Sequence, residues 1–440
     1  MVAVVGGATA GAEIAARLSE RGAEVVVFDQ NLRPYGKIED GLPRWHAALR
    51  SKEYNTINSK MTMPRVHFCP LTKLGKDISV KDLFEGWGFS AVIMANGAWR
   101  DRPLPVPDAE KYVGKGLVYQ NQLIVWFNHL HDKAYQGTQY QVGDGIAVFG
   151  GGLASIDVLK LLSLGTVLNY LKKKGITPHL EELEQTGIPD WLKEHGMTVE
   201  ETGLKGSTLY YRRRLEDMPL AEIPADATPE KKAKVEGARK KIVDKATEKF
   251  GFKLEPLCAP ESLIIENDRV VGVRVARQKT VDGKPVPTGE VFEHRCAFVV
   301  GSIGSIPEPI EGIPMKGELF TFQDKETGRI PPYEHVFSTG NVVTGKGNIV
   351  ASRKHAAALG AYMSEKYLGT IPGGVESVPV TGATETAAAV QGFLGTKPPL
   401  PGATADAIMG KVKARQTAVG YGDYNSWLAK HPPAPDEETH

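Results

Sequence analysis

The stretch Val2-Ala3-Val4-Val5-Gly6-Gly7-Ala8-Thr9-Ala10-Gly11 decides how this sequence is read. Four apolar residues in a row read as a buried strand. Small residues then break it, and Ala10 to Glu20 carries Ile14, Ala15 and Leu18 at the spacing of one helix face. Glu24 to Phe28 reads as a second strand and closes a strand, turn, helix, strand unit. At such a turn the first N–H groups of the helix have no partner and carry partial positive charge. A dinucleotide pyrophosphate can bind there if small residues let the backbone approach it. Gly6 and Gly11 occupy two of the usual glycine positions, and Ala8 places a methyl at the other. Asp29 ends the second strand, where a carboxylate can accept hydrogen bonds from both ribose hydroxyls.

The pattern then recurs. Ile146 to Phe149 reads as a strand and Gly150-Gly151-Gly152-Leu153-Ala154-Ser155 as its turn, followed by a helix through Ile156 to Leu162 and a strand at Thr208 to Tyr211. This second strand ends in Arg212-Arg213-Arg214 instead of an acid. Guanidinium groups there suit the 2'-phosphate of NADP, whereas a carboxylate would suit NAD; solvated arginines on a loop are the alternative. Two unlike turns suggest two unlike dinucleotides. The polar stretch from Gly165 to Gly206 reads as helices added at the edge of this domain.

Two more short strands, Ala91 to Ala95 before Asn96-Gly97-Ala98 and Ala297 to Val300 before Gly301, bracket the second unit. The expected fold is therefore α/β, with two Rossmann-like dinucleotide-binding domains, one inserted into the other. The boundaries are 1–102 and 301–368 for the first domain and 103–300 for the second. Past Leu368 the sequence turns to Gly, Pro, Thr and Ala, so 369–440 is expected to be an extended C-terminal tail that a partner orders. Phe393, Leu394, Tyr421, Tyr424, Trp427 and Leu428 would be its interface anchors.

Composition narrows the classes further. Lys and Arg number 53 against 52 Asp and Glu in 440 residues, so no chain-wide field points to nucleic acid or an anionic membrane. Runs such as Val2 to Val5 are far short of the roughly 20 residues of a membrane span, and none is expected. The first residues lack the basic and apolar regions of a signal peptide, which makes the cytoplasm the expected location. Cys69, Cys258 and Cys296 lie far apart, so the sequence offers neither a CxxC redox pair nor a run of ligands for an iron–sulfur cluster or zinc.

Several motifs share one family order. Pro34-Tyr35-Gly36-Lys37-Ile38 is followed by Gly41-Leu42-Pro43-Arg44-Trp45-His46, then by the run from Val66 through Gly75-Lys76-Asp77-Ile78-Ser79 to Ala91-Val92-Ile93. Tyr211-Arg212-Arg213 with Met218-Pro219 comes next, and Ser338-Thr339-Gly340-Asn341 with Gly347-Asn348-Ile349 closes the series and leads towards a helix from about Val350. Over about residues 1 to 368 the chain resembles the adrenodoxin-type ferredoxin-NADP reductases and the related glutamate synthase small subunits.

The resemblance implies that Gly6, Ala8, Gly11 and Asp29 hold the ADP half of FAD, with Thr72 near the adenine. It implies that Gly36, Lys37 and Ile38 lie near the flavin with Gly97, and that Gly340, Asn341, Gly347, Asn348 and Ile349 close over it. Gly150, Gly151, Gly152, Leu153 and Ala154 would hold the pyrophosphate of NADP or NAD, and Arg212 and Arg213 its ribose phosphate. Lys37 stands where the family has an apolar residue, Asn341 where it has Trp or Asp, and Asn96 where Thr is common. Lys37 would thus put a cation near the flavin ring. His46, on a family motif position, either moves protons at the flavin or is a satisfied hydrogen-bonding histidine. The charged stretch from Pro229 to Phe250 is a solvated helix or a dock for an acidic electron-transfer protein.

By resemblance the chain would be an FAD-dependent oxidoreductase that passes a hydride between NAD(P)(H) and FAD, and single electrons between FAD and a separate iron–sulfur protein. The tail suggests a permanent complex, with this chain as its NAD(P)-facing flavin subunit. A stand-alone ferredoxin-NADP reductase and a flavin monooxygenase are alternatives. A pyridine nucleotide-disulfide reductase conflicts with the missing cysteine pair. Ala8, Lys37 and Asn341 also allow a non-catalytic assembly subunit that keeps the flavin fold.

Overall fold

The computed structural model describes residues 1–20, 22–133, 135–221, 223, 227–323, 328–344 and 399–435. They form two compact units. One comprises 1–42, 48–100 and 305–433, the other 43–47, 101–304 and 434–440.

In the first unit five parallel strands lie in the order Val336–Ser338, Ala91–Met94, Val2–Val5, Val25–Phe28, Val66–Cys69. The central three are apolar at every position because both faces of the sheet are covered. The pleat divides their side chains by parity. Val2, Val4, Val25 and Val27 pack with Ile14, Ala15 and Leu18 of the helix Thr9–Glu20, while Ala3, Val5, Val26 and Phe28 pack on the opposite face.

The second unit repeats this plan. Its parallel strands run in the order Leu117–Tyr119, Val299–Ser302, Ala147–Gly150, Thr208–Tyr211, Lys253–Pro256. The strand before the glycine turn is again the middle one, but here an outer position is filled by a strand that precedes it in the chain. The three-stranded antiparallel meander Cys258–Glu266, Arg269–Val281, Lys284–Arg295 is added. The helix Leu153–Lys173 is long and apolar enough to cross a membrane by length and composition alone, beyond the strand-length runs noted in the sequence. Half of its apolar window is buried, and Ile156, Leu159 and Leu162 belong to the core of this unit. Leu180–Thr186, Ile188–Glu194, Val199–Thr202 and Pro229–Phe250 are further helices. The last turns Arg239, Val243, Ala246 and Phe250 inward and leaves most of its charged residues exposed.

The extended tail is corrected for 399–435. The helices Gly402–Ala418 and Tyr424–Lys430 fold onto the first unit. Ile408 and Val412, four residues apart, are fully buried, and Tyr424 and Trp427 join the core around Tyr35 and Phe68. Asp423 caps the second helix, its Oδ1 accepting from the Ser426 N–H at 3.0 Å. One buried stripe on an otherwise polar helix is enough to dock it, and a composition argument overlooks so narrow a stripe. Phe393, Leu394 and the helix expected from about Val350 lie outside the described residues.

Candidate dinucleotide sites

The first glycine turn is built by close approach. Gly6 has φ 99°, and a Cβ there would stand 2.5 Å from the Ala95 carbonyl oxygen. A Cβ on Gly11 would collide with the Gly6 carbonyl, so only glycine lets the helix start this close to the strand. Asp29 is buried beside the turn. Its Oδ2 accepts the Gly7 N–H at 2.7 Å and its Oδ1 the Asn31 N–H at 2.9 Å. Burial pushes this carboxyl up to about 6, against the pull of the two N–H donors. The acid therefore fixes the turn and keeps acceptor capacity on both oxygens. Gly7, which the sequence reading passed over, is the residue that ties acid to turn; the Gly6-Gly7 pair was its only signal.

The remaining expected flavin-side residues have different roles in the structure. Gly36 packs against Ala8, where an added Cβ would lie 2.7 Å from the Ala8 methyl. Ile38 buries its side chain in the core beside Tyr35, so its side chain is a structural group and only its backbone can serve a ligand. The Lys37 ammonium donates to Ser305 Oγ at 3.0 Å and sits 5.9 Å from the centre of the Trp99 ring. Thr72 is buried, donates to the Pro70 carbonyl at 3.0 Å and accepts from Arg415 Nε at 3.3 Å. Gly340 lies against Ala10 at the start of the first helix, and Gly97 lies near Trp99. Gly347, Asn348 and Ile349 lie outside the described residues.

Three buried polar atoms at the C-terminal ends of neighbouring strands have no partner among the described residues: Asn96 Oδ1, Ser338 Oγ and Asn341 Oδ1. An orphaned buried polar group costs about 1–3 kcal/mol unless something pairs with it. The carboxyl ends of parallel strands are where ligands of open α/β sheets bind, so these atoms fit a polar group held beside the Gly6 turn.

At the second turn, Gly151 lies under the Tyr211 ring, with no room for a Cβ, while Gly152 has nothing near the place a Cβ would take. Ser155 is buried and its hydroxyl donates to the Gly152 carbonyl at 2.6 Å. Leu153 and Ala154 open the helix, with Leu153 exposed. Their N–H groups are among the first in the helix, which lack helical acceptors. Tyr211 donates to the Asp217 carbonyl at 2.8 Å. Arg214 forks onto Asp217 at 2.9 and 3.1 Å. The exposed guanidinium groups of Arg212 and Arg213 make no hydrogen bond or ion pair with a described residue. The three sequence arginines thus split into one that braces the loop and two that present charge.

His46 is held with the second unit. The buried Trp45 indole donates to His46 Nε2 at 3.1 Å and packs 5.1 Å from the Phe127 ring. Nε2 is then an acceptor, which puts the proton of the neutral ring on Nδ1. A hydrogen-bonded histidine is present, as one of the two sequence readings held. Among the described residues no cluster of three or more His, Cys, Asp or Glu side chains could hold a metal.

Two parallel sheets of matching order, each with a glycine turn entering a helix, define the fold of the two-domain dinucleotide oxidoreductases. No protein-family profile matches the chain. It is 25% identical over 458 residues to the NADPH:adrenodoxin oxidoreductase of Rattus norvegicus, covering 96% of this chain and 87% of that protein. The glutamate synthase [NADPH] small chain of Mycobacterium tuberculosis is 29% identical over 164 residues, 36% of this chain and 32% of that one. Mycobacterium tuberculosis FprA, solved in complex with NADPH, shares the fold at a TM-score of 0.68 and 18% identity, over 94% of this chain and 90% of its own. The chain is similar to the adrenodoxin-type reductases over most of its length, and the resemblance carried by the motifs holds.

Proposed function

We propose that the first unit holds FAD, that the second binds NADP(H), and that the chain is an oxidoreductase serving an iron–sulfur protein on another chain. The observation that carries this reading is the pairing of unlike recognition groups at like positions: buried Asp29 after one second strand, and after the other Arg212 and Arg213, exposed and without an ion pair among the described residues. FAD, once bound, supplies the chemistry that links two-electron exchange with a nicotinamide to one-electron exchange with an iron–sulfur centre. The protein's part is to bind and orient. The Gly6 turn and the N-terminus of Thr9–Glu20 face a pyrophosphate, Asp29 accepts from ribose hydroxyls, and the buried oxygens of Asn96 and Asn341 accept from the bound group. Gly152, Leu153 and Ala154 take the second pyrophosphate, and Arg212 and Arg213 the 2'-phosphate. Lys37 is the candidate for charge control at the flavin.

The tail gave the main reason to expect a permanent complex. Tyr424 and Trp427 are buried in the chain's own core, which favours a stand-alone reductase over a subunit anchored through those residues. Absorbance of the purified chain and NADPH-driven reduction of a [2Fe–2S] ferredoxin test the reading. Flavin bands and ferredoxin reduction are expected. A folded chain that takes up no flavin on reconstitution, or one that prefers NADH and ignores Arg212→Ala, would overturn it. Co-purification of an iron–sulfur protein at fixed stoichiometry would reinstate the subunit.

A further inference from the structure

The C-terminal helices touch the first unit at a particular place. Arg415, on Gly402–Ala418, donates through Nε to Thr72 Oγ1 at 3.3 Å and through Nη1 to the Asp77 carbonyl at 2.9 Å. Gln416 donates to the Phe68 carbonyl at 2.7 Å. From the next helix, the Trp427 indole donates to the Leu32 carbonyl at 2.7 Å. Arg33 closes the circuit. It forks onto Glu39 in a buried ion pair, 2.6 Å at the shortest, and its Nη1 donates to the carbonyls of His431 and Pro432, each at 3.1 Å. Those carbonyls end Tyr424–Lys430, where the helix dipole favours a cation.

Each contact reaches the loop after Val25–Phe28, the strand Val66–Cys69 or the loop that follows it. Those two loops are already joined, since Thr72 N–H donates to the Asp29 carbonyl at 2.7 Å and Leu71 N–H to the Asn31 carbonyl at 3.2 Å. Between them lies an open cleft lined by Gln30, Asn31, Leu71, Lys73, Lys76 and Asp77, which starts one residue past the acid that faces the ribose. The tail is therefore pinned to the outer walls of the space an adenosine would enter.

We propose that Arg415 is a positioning residue for the adenosine end of the flavin nucleotide, and that the C-terminal helices form a latch that retains the cofactor. This rests on the FAD reading of the first unit. The test uses the full chain stripped of flavin and then titrated with FAD, with ADP as a probe of the adenosine end alone, for wild type, Arg415→Gln and Arg415→Lys. Arg415→Gln should weaken FAD and ADP by the same factor, about tenfold for one charged hydrogen bond lost. Arg415→Lys should recover part of that factor, and the KM for NADPH should not move. If Arg415→Gln lowers the melting temperature but leaves both affinities unchanged, the helices only stabilise the fold and the latch is wrong. If the wild type binds ADP but not FAD, the FAD reading fails, while the ADP series still decides the role of Arg415.

Discussion

The two glycine turns follow one plan and fill it differently. Around the first, Gly6, Gly7 and Gly11 are hemmed in by backbone and by Pro34 and Asp29, and the recognition acid is buried. Around the second, Gly150 and Gly151 are crowded as well, by Ser302, Ser155 and the Tyr211 ring, but Gly152 faces open space and the arginines that follow stand in solvent. A crowded turn with a buried anion suits a group that stays, since desolvated contacts are strong and slow to open. A turn open at Gly152 with exposed cations beyond it suits one that arrives by electrostatic attraction and leaves again. On the proposed function, the first turn is the seat of a resident nucleotide and the second the berth of an exchanging one.

Substituting glycines on the two sides should break this comparison most sharply. Gly11→Ala drives a methyl into the Gly6 carbonyl, and the backbone must move to admit it. The expected cost is about 3 kcal/mol or more, in the range of severe core clashes, with loss of bound flavin. Gly152→Ala meets nothing and should change stability by no more than about 0.5 kcal/mol. Thermal melts and flavin content of the two purified variants check the contrast. Equal tolerance at both positions would remove the distinction between the turns.

The arginines sharpen the comparison from the other side. Arg212→Ala and Arg213→Ala should each raise the KM for NADPH by roughly 10- to 100-fold, the effect of about 1.5–3 kcal/mol for a charge-assisted pair, and leave the KM for NADH alone. Both side chains are exposed and make no ion pair among the described residues, so the melting temperature should not shift. Arg214→Ala breaks only the pair with Asp217 and should affect NADPH least. Steady-state kinetics with the two cofactors measures all three.

How far the sequence could be read follows from how each element is stabilised. Val2–Val5 and Val25–Phe28 were legible because strands buried on both faces are apolar throughout, and Gly6 and Gly11 because close backbone approach restricts residue type. Leu117–Tyr119 and Lys253–Pro256 were not, being three and four residues long at the edges of their sheet. The meander was missed because its outer half is exposed and mixes Lys, Pro, Thr and Glu, so no alternation marks it. Arg33, Glu39 and Arg415 gave no local signal. Arg33 and Glu39 pair across a turn that no periodicity marks, while Arg33's other partners and those of Arg415 lie hundreds of residues away, and only the fold brings them together.

Proton linkage offers a finer test, because among the described residues each unit holds one carboxyl that burial pushes up: Asp29 to about 6 and Asp157 to about 7. For both, the folded protein binds a proton more readily than the unfolded chain. Each therefore contributes stability that is present at low pH and is lost as pH rises through its folded value. They differ in what a ligand does to them. On the proposed function ribose hydroxyls would donate to Asp29 and favour its ionised form, so the adenosine affinity should rise with pH. With one group titrating near 6, the ionised fraction falls about tenfold from pH 7 to pH 5, and the apparent affinity for ADP should fall by that factor. Asp29→Asn should bind weakly with no such slope. Asp157 instead faces Lys160 at 4.0 Å and lies near Glu184, whose oxygen takes that lysine at 2.7 Å. Asp157→Asn should leave the ADP slope intact and spare the second unit the cost of a half-buried charge, so its melting temperature should exceed the wild type's at pH 8 and match it at pH 5. An ADP slope that survives Asp29→Asn would mean that another group titrates at the first turn.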